Sequence, residues 1–263
     1  MTGADWRIDL KDARVLLVND DGISAPGLAL LERLMEPLAR EVWSIAPERE
    51  QSGTGHAFSL HQPVRMRTAG ERRFAVEGTP TDAAIMALGV AMAETPPDLV
   101  ISGVNRGANM GDDVTYSGTV GAALEAALAG YPSIALSIER TPPNEAHWAT
   151  VEAHLAGVLD WLLAHAWPRG VVLNVNFPDA PPESVKGRRT TRLGRRKPGG
   201  EIVAGMDPAG RPYHWIGSKR IMGDIAPDSD VQAARDGFIS MTPLRFDLTD
   251  EALLDRARQR LGA

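Results

Sequence analysis

The chain has 263 residues, 43% of them hydrophobic and 24% charged, with a formal net charge of −6. That length and apolar content support one large α/β domain, or a domain with a substantial appendage, and exclude disorder as the dominant state. The negative charge argues against a general nucleic-acid binder, whose phosphate contacts require a basic surface, and the absence of cysteine excludes thiolate zinc sites, disulfides and cysteine nucleophiles.

The N-terminal stretch MTGADWRIDLKDAR has no apolar leader segment, and the longest uncharged runs are broken by Gly and Pro. No membrane span is expected, and the cytoplasm is the expected location. The first strand is predicted at ARVLLV (13–18), followed by EVWSIA (41–46), DLVISGV (98–104), SIALSI (133–138) and VVLNVNF (171–177). Most are apolar at nearly every position, as parallel strands covered on both faces must be. Helical patterns lie between them. Leu28, Leu31, Leu34, Met35 and Leu38 form one stripe, with Pro26 suited to a first helical turn. TPTDAAIMALGVAMA follows, with Thr79 or Thr81 as the cap, and GTVGAALEAALAG ends at Gly130. A fourth helix is expected from near Asn144, with Trp148, Val151, Leu155, Val158 and Leu162 on one face. Trp148 and Trp161 are read as core, and His147 and His154 as surface or packing residues on this helix. The alternation predicts right-handed βαβ crossovers and an α/β, doubly wound, mainly parallel sheet over residues 1–178.

Residues 179–263 change texture, becoming rich in Gly, Pro and Arg with short alternating pieces, which predicts a hairpin-rich extension. Seven Lys or Arg between Lys186 and Lys197 read as a solvated or interface surface rather than a specific nucleic-acid contact, with Arg195 and Arg196 as exposed charges. Tyr213, Trp215, Ile216 and Ile221 lack a core of their own, so the extension is expected to hold an oligomer together, a homodimer or homotetramer. The chain then returns as a last strand, DGFISMTPL, and a capped terminal helix from Thr249.

In an open α/β sheet, ligands bind outside the carboxyl ends of the strands. Asp20 and Asp21 follow the first strand, APEREQSGTGHA the second, and SGVNRGANMGDD carries Asn105 just past the third. Two carboxylates, an amide carbonyl and the Ser52 hydroxyl match a hard divalent cation such as Mg²⁺ or Mn²⁺. An Asp-Asp-Gly turn or an N-cap is the competing reading of the acids, and Ser52 reads equally as a residue that ties its own loop. Ser117, Gly118 and Thr119 stand directly before an Ala-rich helix, where free N–H groups and the helix dipole favour an anion; an ordinary Ser/Thr cap is the alternative. Rival machinery is missing. None of the four lysines sits in G-x-x-x-x-G-K-S/T, no G-x-G-x-x-G follows the first strand, and there is no G-x-S-x-G elbow. A nucleophilic-Asp phosphatase needs D-x-D, whereas these acids are adjacent. His56 and His61, near the Ser52 loop, are candidates for proton transfer.

Taken together, VLLVNDDGISAPG, APEREQSGTGHAFSLHQPV, EGTPTDA, DLVISGVNRGANMGDDVTYSGTVGAALEAA, PSIALS and LNVNFP resemble the stationary-phase survival protein E (SurE) family of nucleotidases, from about residue 13 to about residue 244. The resemblance implies a Rossmann-like sheet whose C-terminal extension is exchanged between subunits. It also implies metal-dependent release of phosphate from nucleoside 5′- and 3′-monophosphates, with some action on polyphosphate. Matched residue by residue, the metal ligands fall on Asp20, Asp21, Ser52 and Asn105, and the phosphate loop on Ser117, Gly118 and Thr119; Asp20, Asp21 and Asn105 are the expected catalytic residues. One divalent ion, Mg²⁺ or Mn²⁺, is the expected cofactor. The alternative is an Mg²⁺-dependent nucleotide-binding regulatory module without catalysis.

Overall fold

A computed structural model describes residues 8–140, 145–165, 167–197, 199–217 and 220–261. The N-terminal stretch up to residue 7, and Asn144, the expected start of the fourth helix, lie outside them. The strands of the main sheet are β1 (Arg14–Val18), β2 (Glu41–Pro47), β3 (Met66–Gly70), β4 (Arg73–Val76), β5 (Leu99–Arg106), β6 (Ser133–Ile138), β7 (Val171–Phe177), β8 (Arg188–Thr190) and β13 (Ile239–Arg245). Their spatial order is β3-β4-β2-β1-β5-β6-β7-β13-β8. The six strands from β4 to β7 run parallel, while β3 and β13 add antiparallel to β4 and β7, and β8 lies parallel to β13.

Every residue of β1 from Val15 to Val18 is fully buried, because helices cover both faces. Val15 and Leu17 join the core beneath α1 (Pro26–Met35) and α4 (Trp148–Ala164), whereas Leu16 and Val18 join the one beneath α2 (Pro80–Met86) and α3 (Gly118–Leu128). The chain moves outward from β1 to β2 and β4, then returns to β5 on the other side of β1. That reversal opens a crevice at the carboxyl ends of β1 and β5, the place where such sheets bind ligands.

Local signals explain most helix ends. Pro26 occupies the first turn of α1, and Thr79 and Asp82 form a reciprocal capping box on α2, so Thr79 and not Thr81 is the cap. The Ser117 hydroxyl accepts the Val120 N–H at 3.0 Å to cap α3, and Gly130 follows its end at φ +91°. The fourth helix begins at Trp148, one residue after His147, so only His154 is within it. Trp161, expected in the core, is instead 37% exposed on the outer face of α4 and packs against the His165 ring; the apolar stripe is narrower than the helix's overall hydrophobicity suggests.

Beyond residue 178 the chain does two things. Strands β8 and β13 complete the sheet, while β9 (Arg196–Lys197) pairs with β12 (Ile221–Met222), and β10 (Ile202–Met206) with β11 (Pro212–Ile216), as two small antiparallel ribbons. A short helix, α5 (Asp230–Arg235), leads back to β13. The terminal helix α6 (Glu251–Leu261) is capped one residue later than expected, by Asp250, whose carboxylate accepts the Leu253 N–H at 2.8 Å. No helix among the described residues is long and apolar enough to cross a membrane.

Candidate functional site

The loop after β1 is shaped by Asn19, a residue the sequence reading passed over. Its amide donates to the Gly22 carbonyl at 2.9 Å and accepts the Gly22 N–H at 3.1 Å, with Gly22 at φ +102°. An Asn three residues before a Gly at a strand end was the available signal. Because Asn19 closes the turn and α1 has no side-chain cap, neither Asp20 nor Asp21 is needed for those tasks. Both carboxylates reach across the crevice. Asp20 Oδ1 accepts the Thr119 hydroxyl at 2.5 Å, and Asp21 Oδ2 accepts the Arg106 N–H at 3.2 Å. The first acid thereby meets the start of α3 and the second meets the end of β5.

Close approach of α3 depends on Gly118, where a Cβ would lie 2.8 Å from both the Asp20 Cβ and the Pro80 Cγ. The 48–56 loop is drawn in by main-chain bonds: Gln51 N–H to the Asp20 carbonyl at 2.8 Å, and Gly55 N–H to the Tyr116 carbonyl at 3.0 Å. Gly121 lets that loop lie against α3, since a Cβ there would fall 2.4 Å from the Gly55 oxygen. Ser52 rides on this loop next to Gln51; its hydroxyl donates to Glu50 Oε1 at 3.0 Å. Asn105 Nδ2 donates to the Gly107 carbonyl at 2.6 Å, leaving the amide oxygen as the group available to a ligand.

The electrostatics of the acids follow from burial. Asp20 is 3% exposed, and desolvation pushes its carboxyl up to about 6, against the bonds from Thr119 and with help from the neighbouring Asp21 charge. Burial also raises Asp21, opposed by the Arg106 N–H and reinforced by Glu50. Among the described residues neither acid is ion-paired to a basic side chain; the Arg106 guanidinium lies 3.9 Å from Glu145, and its charge acts on Asp21 only from a distance. The crevice is short of positive charge. Its donors are all oxygens, which suits a hard divalent cation. Among the described residues no three His, Asp or Glu side chains gather to hold a metal; a cation here would have to draw on the mixed set of two carboxylates, an amide oxygen and a hydroxyl.

Thr119, expected beside a phosphate, lies against Asp20 at the start of α3. It is fully buried with its hydroxyl spent on Asp20, and its own N–H also favours the Asp20 carboxylate. Part of the positive end of α3 therefore serves an internal anion. Of the two histidines near the loop, His56 is committed to Glu125 at 2.9 Å and lies edge-on to Phe246, while His61 is exposed.

The basic cluster needs a larger correction. Arg195 is exposed as expected, but Arg196 is 8% exposed: its guanidinium lies 3.1 Å from Asp113 and 3.3 Å from Glu139, and its N–H donates to Asp112 at 3.0 Å. Burial holds the Arg196 pKa below its ordinary value and raises that of Asp113. The cause is non-local. Asp112 and Asp113 belong to the short helical turn Gly111–Thr115, which ends two residues before Ser117, so Arg196 fastens the extension to the segment leading into α3.

A cleft of about 320 Å³ adjoins the Asp20 loop, lined by Glu48, Arg49, Gln51, Val76, Glu77 and Gly78. A larger one, about 640 Å³, opens at the opposite end of the sheet beside Asp9, Asp98 and Tyr131, and none of the predicted site residues lines it.

Fold and crevice together define a doubly wound α/β protein with an oxygen-donor site at its strand switch point. A model of the survival protein SurE family matches residues 15–199, and the chain belongs to the SurE family. It is 48% identical over 241 residues to the 5′-nucleotidase SurE of Paramagnetospirillum magneticum, covering 92% of this chain and 93% of that one. It is also 48% identical over 245 residues to the 5′-nucleotidase SurE of Rhodospirillum rubrum, covering 92% and 94%. The crystal structure of the SurE protein from Aquifex aeolicus superposes with a TM-score of 0.80 at 34% identity, covering 94% of this chain and 98% of that one.

Proposed function

We propose that the chain is a metal-dependent phosphomonoesterase that releases phosphate from nucleoside 5′- and 3′-monophosphates, with short polyphosphate as a further substrate. The observation that carries this reading is the Asp20–Asp21 pair: two carboxylates held beside a helix N-terminus, freed from turn and capping duties by Asn19 and left without a basic partner among the described residues. The 5′-nucleotidase name of relatives similar over more than nine tenths of the chain supports the substrate class.

Asp20, Asp21, the Asn105 amide oxygen and the Ser52 hydroxyl would hold one Mg²⁺ or Mn²⁺. Such an ion, when bound, polarises a phosphoryl oxygen and acidifies an attacking water. The chain supplies the rest. Thr119 orients the Asp20 carboxylate, the Gly118 end of α3 attracts the phosphate, and the cleft between Glu48–Gln51 and Val76–Gly78 receives the nucleoside. The exposed β10–β11 hairpin is read as a contact between copies, giving a homodimer or homotetramer.

Phosphate release from a panel of nucleoside 5′- and 3′-monophosphates and tripolyphosphate, with and without EDTA, tests the proposal. Turnover should vanish on chelation and return with Mg²⁺ or Mn²⁺. Full turnover after exhaustive chelation would remove the metal from the mechanism, and a nucleotide-dependent thermal shift without phosphate release would point to a binding module.

A further inference from the structure

The LNVNFP segment places two asparagines, Asn174 and Asn176, on one face of β7, an interior strand between β6 and β13. Both are fully buried. Burying amides is unfavourable unless their polar atoms are hydrogen-bonded, and Asn174 Oδ1 has no partner among the described residues; packing alone does not account for them. What they grip is one residue. Asn176 Oδ1 accepts the Asn109 N–H at 2.8 Å, while Nδ2 of Asn176 and Nδ2 of Asn174 donate to the Asn109 carbonyl at 3.1 and 2.9 Å.

Asn109 lies in the irregular loop between Asn105 and Ser117, flanked by Gly107 at φ +143° and Gly111 at φ +57°. Gly107 N–H is held by the Ile138 carbonyl and Gly111 N–H by Asp230, so the asparagine pair secures the stretch between these two anchors. The side chain of Asn109 is thereby aimed along the sheet end. Its Nδ2 donates to Ser137 Oγ at 2.8 Å and stands 3.5 Å from Thr119 Oγ1, the outer limit of a hydrogen bond. Thr119 in turn holds Asp20. A buried polar path leads from β7 to the carboxylate.

We propose that Asn174 and Asn176 are positioning residues for the reaction. By clamping the Asn109 main chain they set the loop that carries Asn105 at one end and leads into Ser117 at the other, and they place the Asn109 amide behind the hydroxyl that orients Asp20. The predicted loss of turnover rests on the phosphomonoesterase reading; the effect on the loop rests on the geometry alone.

The test compares Asn176→Leu, Asn174→Leu and Asn176→Asp with a control at the same depth, Thr242→Val. Thr242 is buried opposite Asn174 on β13 and hydrogen-bonds Thr191 at 2.7 Å instead of the loop. Melting temperature, kcat and KM for a nucleoside monophosphate with Mg²⁺, and amide hydrogen exchange over residues 105–119 without metal or substrate are measured. Asn176→Leu should lower kcat about 10- to 100-fold, the usual range for residues that orient metal ligands, with a smaller change in KM. Exchange over the loop should rise by at least about tenfold. Asn176→Asp keeps the acceptor for the Asn109 N–H and should fall between parent and Asn176→Leu. Thr242→Val should lose comparable stability yet keep kcat within about twofold. If Asn176→Leu does not fold, Asn174→Leu, which removes a single hydrogen bond, carries the same comparison with a smaller loss. Unchanged kcat and unchanged loop protection in a folded asparagine variant would overturn the proposal. A parent that releases no phosphate would overturn the functional reading instead. Loop exchange then decides alone: faster in the asparagine variants but not in Thr242→Val supports the clamp, and unchanged exchange overturns it.

Discussion

The crevice at the carboxyl ends of β1 and β5 and the β10–β11 hairpin depart from the usual solvent distribution in opposite directions. In the crevice, Asp20, Thr119 and several amides are buried, with Asp21 half-buried beside them. On the hairpin, Trp215 and Ile216 are 68% and 72% exposed, next to Ile202, Val203 and Met206. Buried polar groups cost stability unless each is hydrogen-bonded, and exposed apolar strands forgo the burial that drives folding. Neither arrangement is what a chain selected only for its own stability would keep. On the function proposed above, the polar crevice would carry the chemistry and the apolar hairpin would offer a surface to another copy. Arg196 is the joint between the two, reaching from the base of the extension to the turn before Ser117.

Breaking the joint should have the largest effect. Arg196→Ala removes a buried partner from Asp113 and Glu139, but Asp113 keeps Arg220 at 2.7 Å, so the loss should be about 3 kcal/mol, the low end for breaking a buried ion pair. Urea denaturation of Arg196→Ala against Arg195→Ala measures it; the exposed Arg195 should change stability by less than about 0.5 kcal/mol. Equal effects would mean that the two arginines are both ordinary surface charges.

Replacing the crevice acid separates function from stability. Asp20→Asn should lower phosphate release by more than ~100-fold, because even groups that only orient metal ligands cost roughly 10- to 100-fold. Its stability should move the other way. A carboxyl raised by burial to about 6 favours the folded state while protonated; this contribution is fully present below the unfolded value near 3.8 and is lost as pH rises through about 6. In EDTA, Asp20→Asn should therefore match the parent near pH 4 and exceed it by about 3 kcal/mol at pH 8, since each tenfold difference in proton affinity between the folded and unfolded chain is worth about 1.4 kcal/mol. Thermal melts of both proteins across that range check the sign.

Thr119→Val should be milder, about 1–3 kcal/mol in transition-state stabilisation for a hydrogen bond to a charged group. Since Thr119 holds the Asp20 carboxyl down, the acid limb of the pH–rate profile should also shift to higher pH. A raised KM with an unmoved profile would return Thr119 to the phosphate itself. Smallest for the chain's own stability is the double substitution Trp215→Glu with Ile216→Lys, where surface changes stay within about 0.5 kcal/mol. Sedimentation should show the assembly weakened while the main-sheet fold persists. A parent monomeric at micromolar concentration would end the reading of the hairpin as a contact between copies.

Much of this molecule is legible without its structure, for a physical reason that differs between parts. Strands β1, β2, β5, β6 and β7 declare themselves because burial forces apolar runs, whereas the more exposed β3 and β4 give no such signal; Pro26, Thr79 and Ser117 declare helix starts because their signals act within three or four residues. The site loops could be named because their residues stand at strand ends in quotable motifs. What the tertiary structure alone decided is which partner each polar group meets. Thr119 points to Asp20, Arg196 is buried against Asp113 and Glu139, and Trp161 faces outward, although nothing beside them in sequence announces it. Burial and charge pairing are set by neighbours brought together over 80 to 100 positions of chain, as in the contact between Arg196 and Asp113 and that between Thr119 and Asp20. Local pattern fixes where the backbone turns, while the solvation of a side chain depends on the completed packing around it.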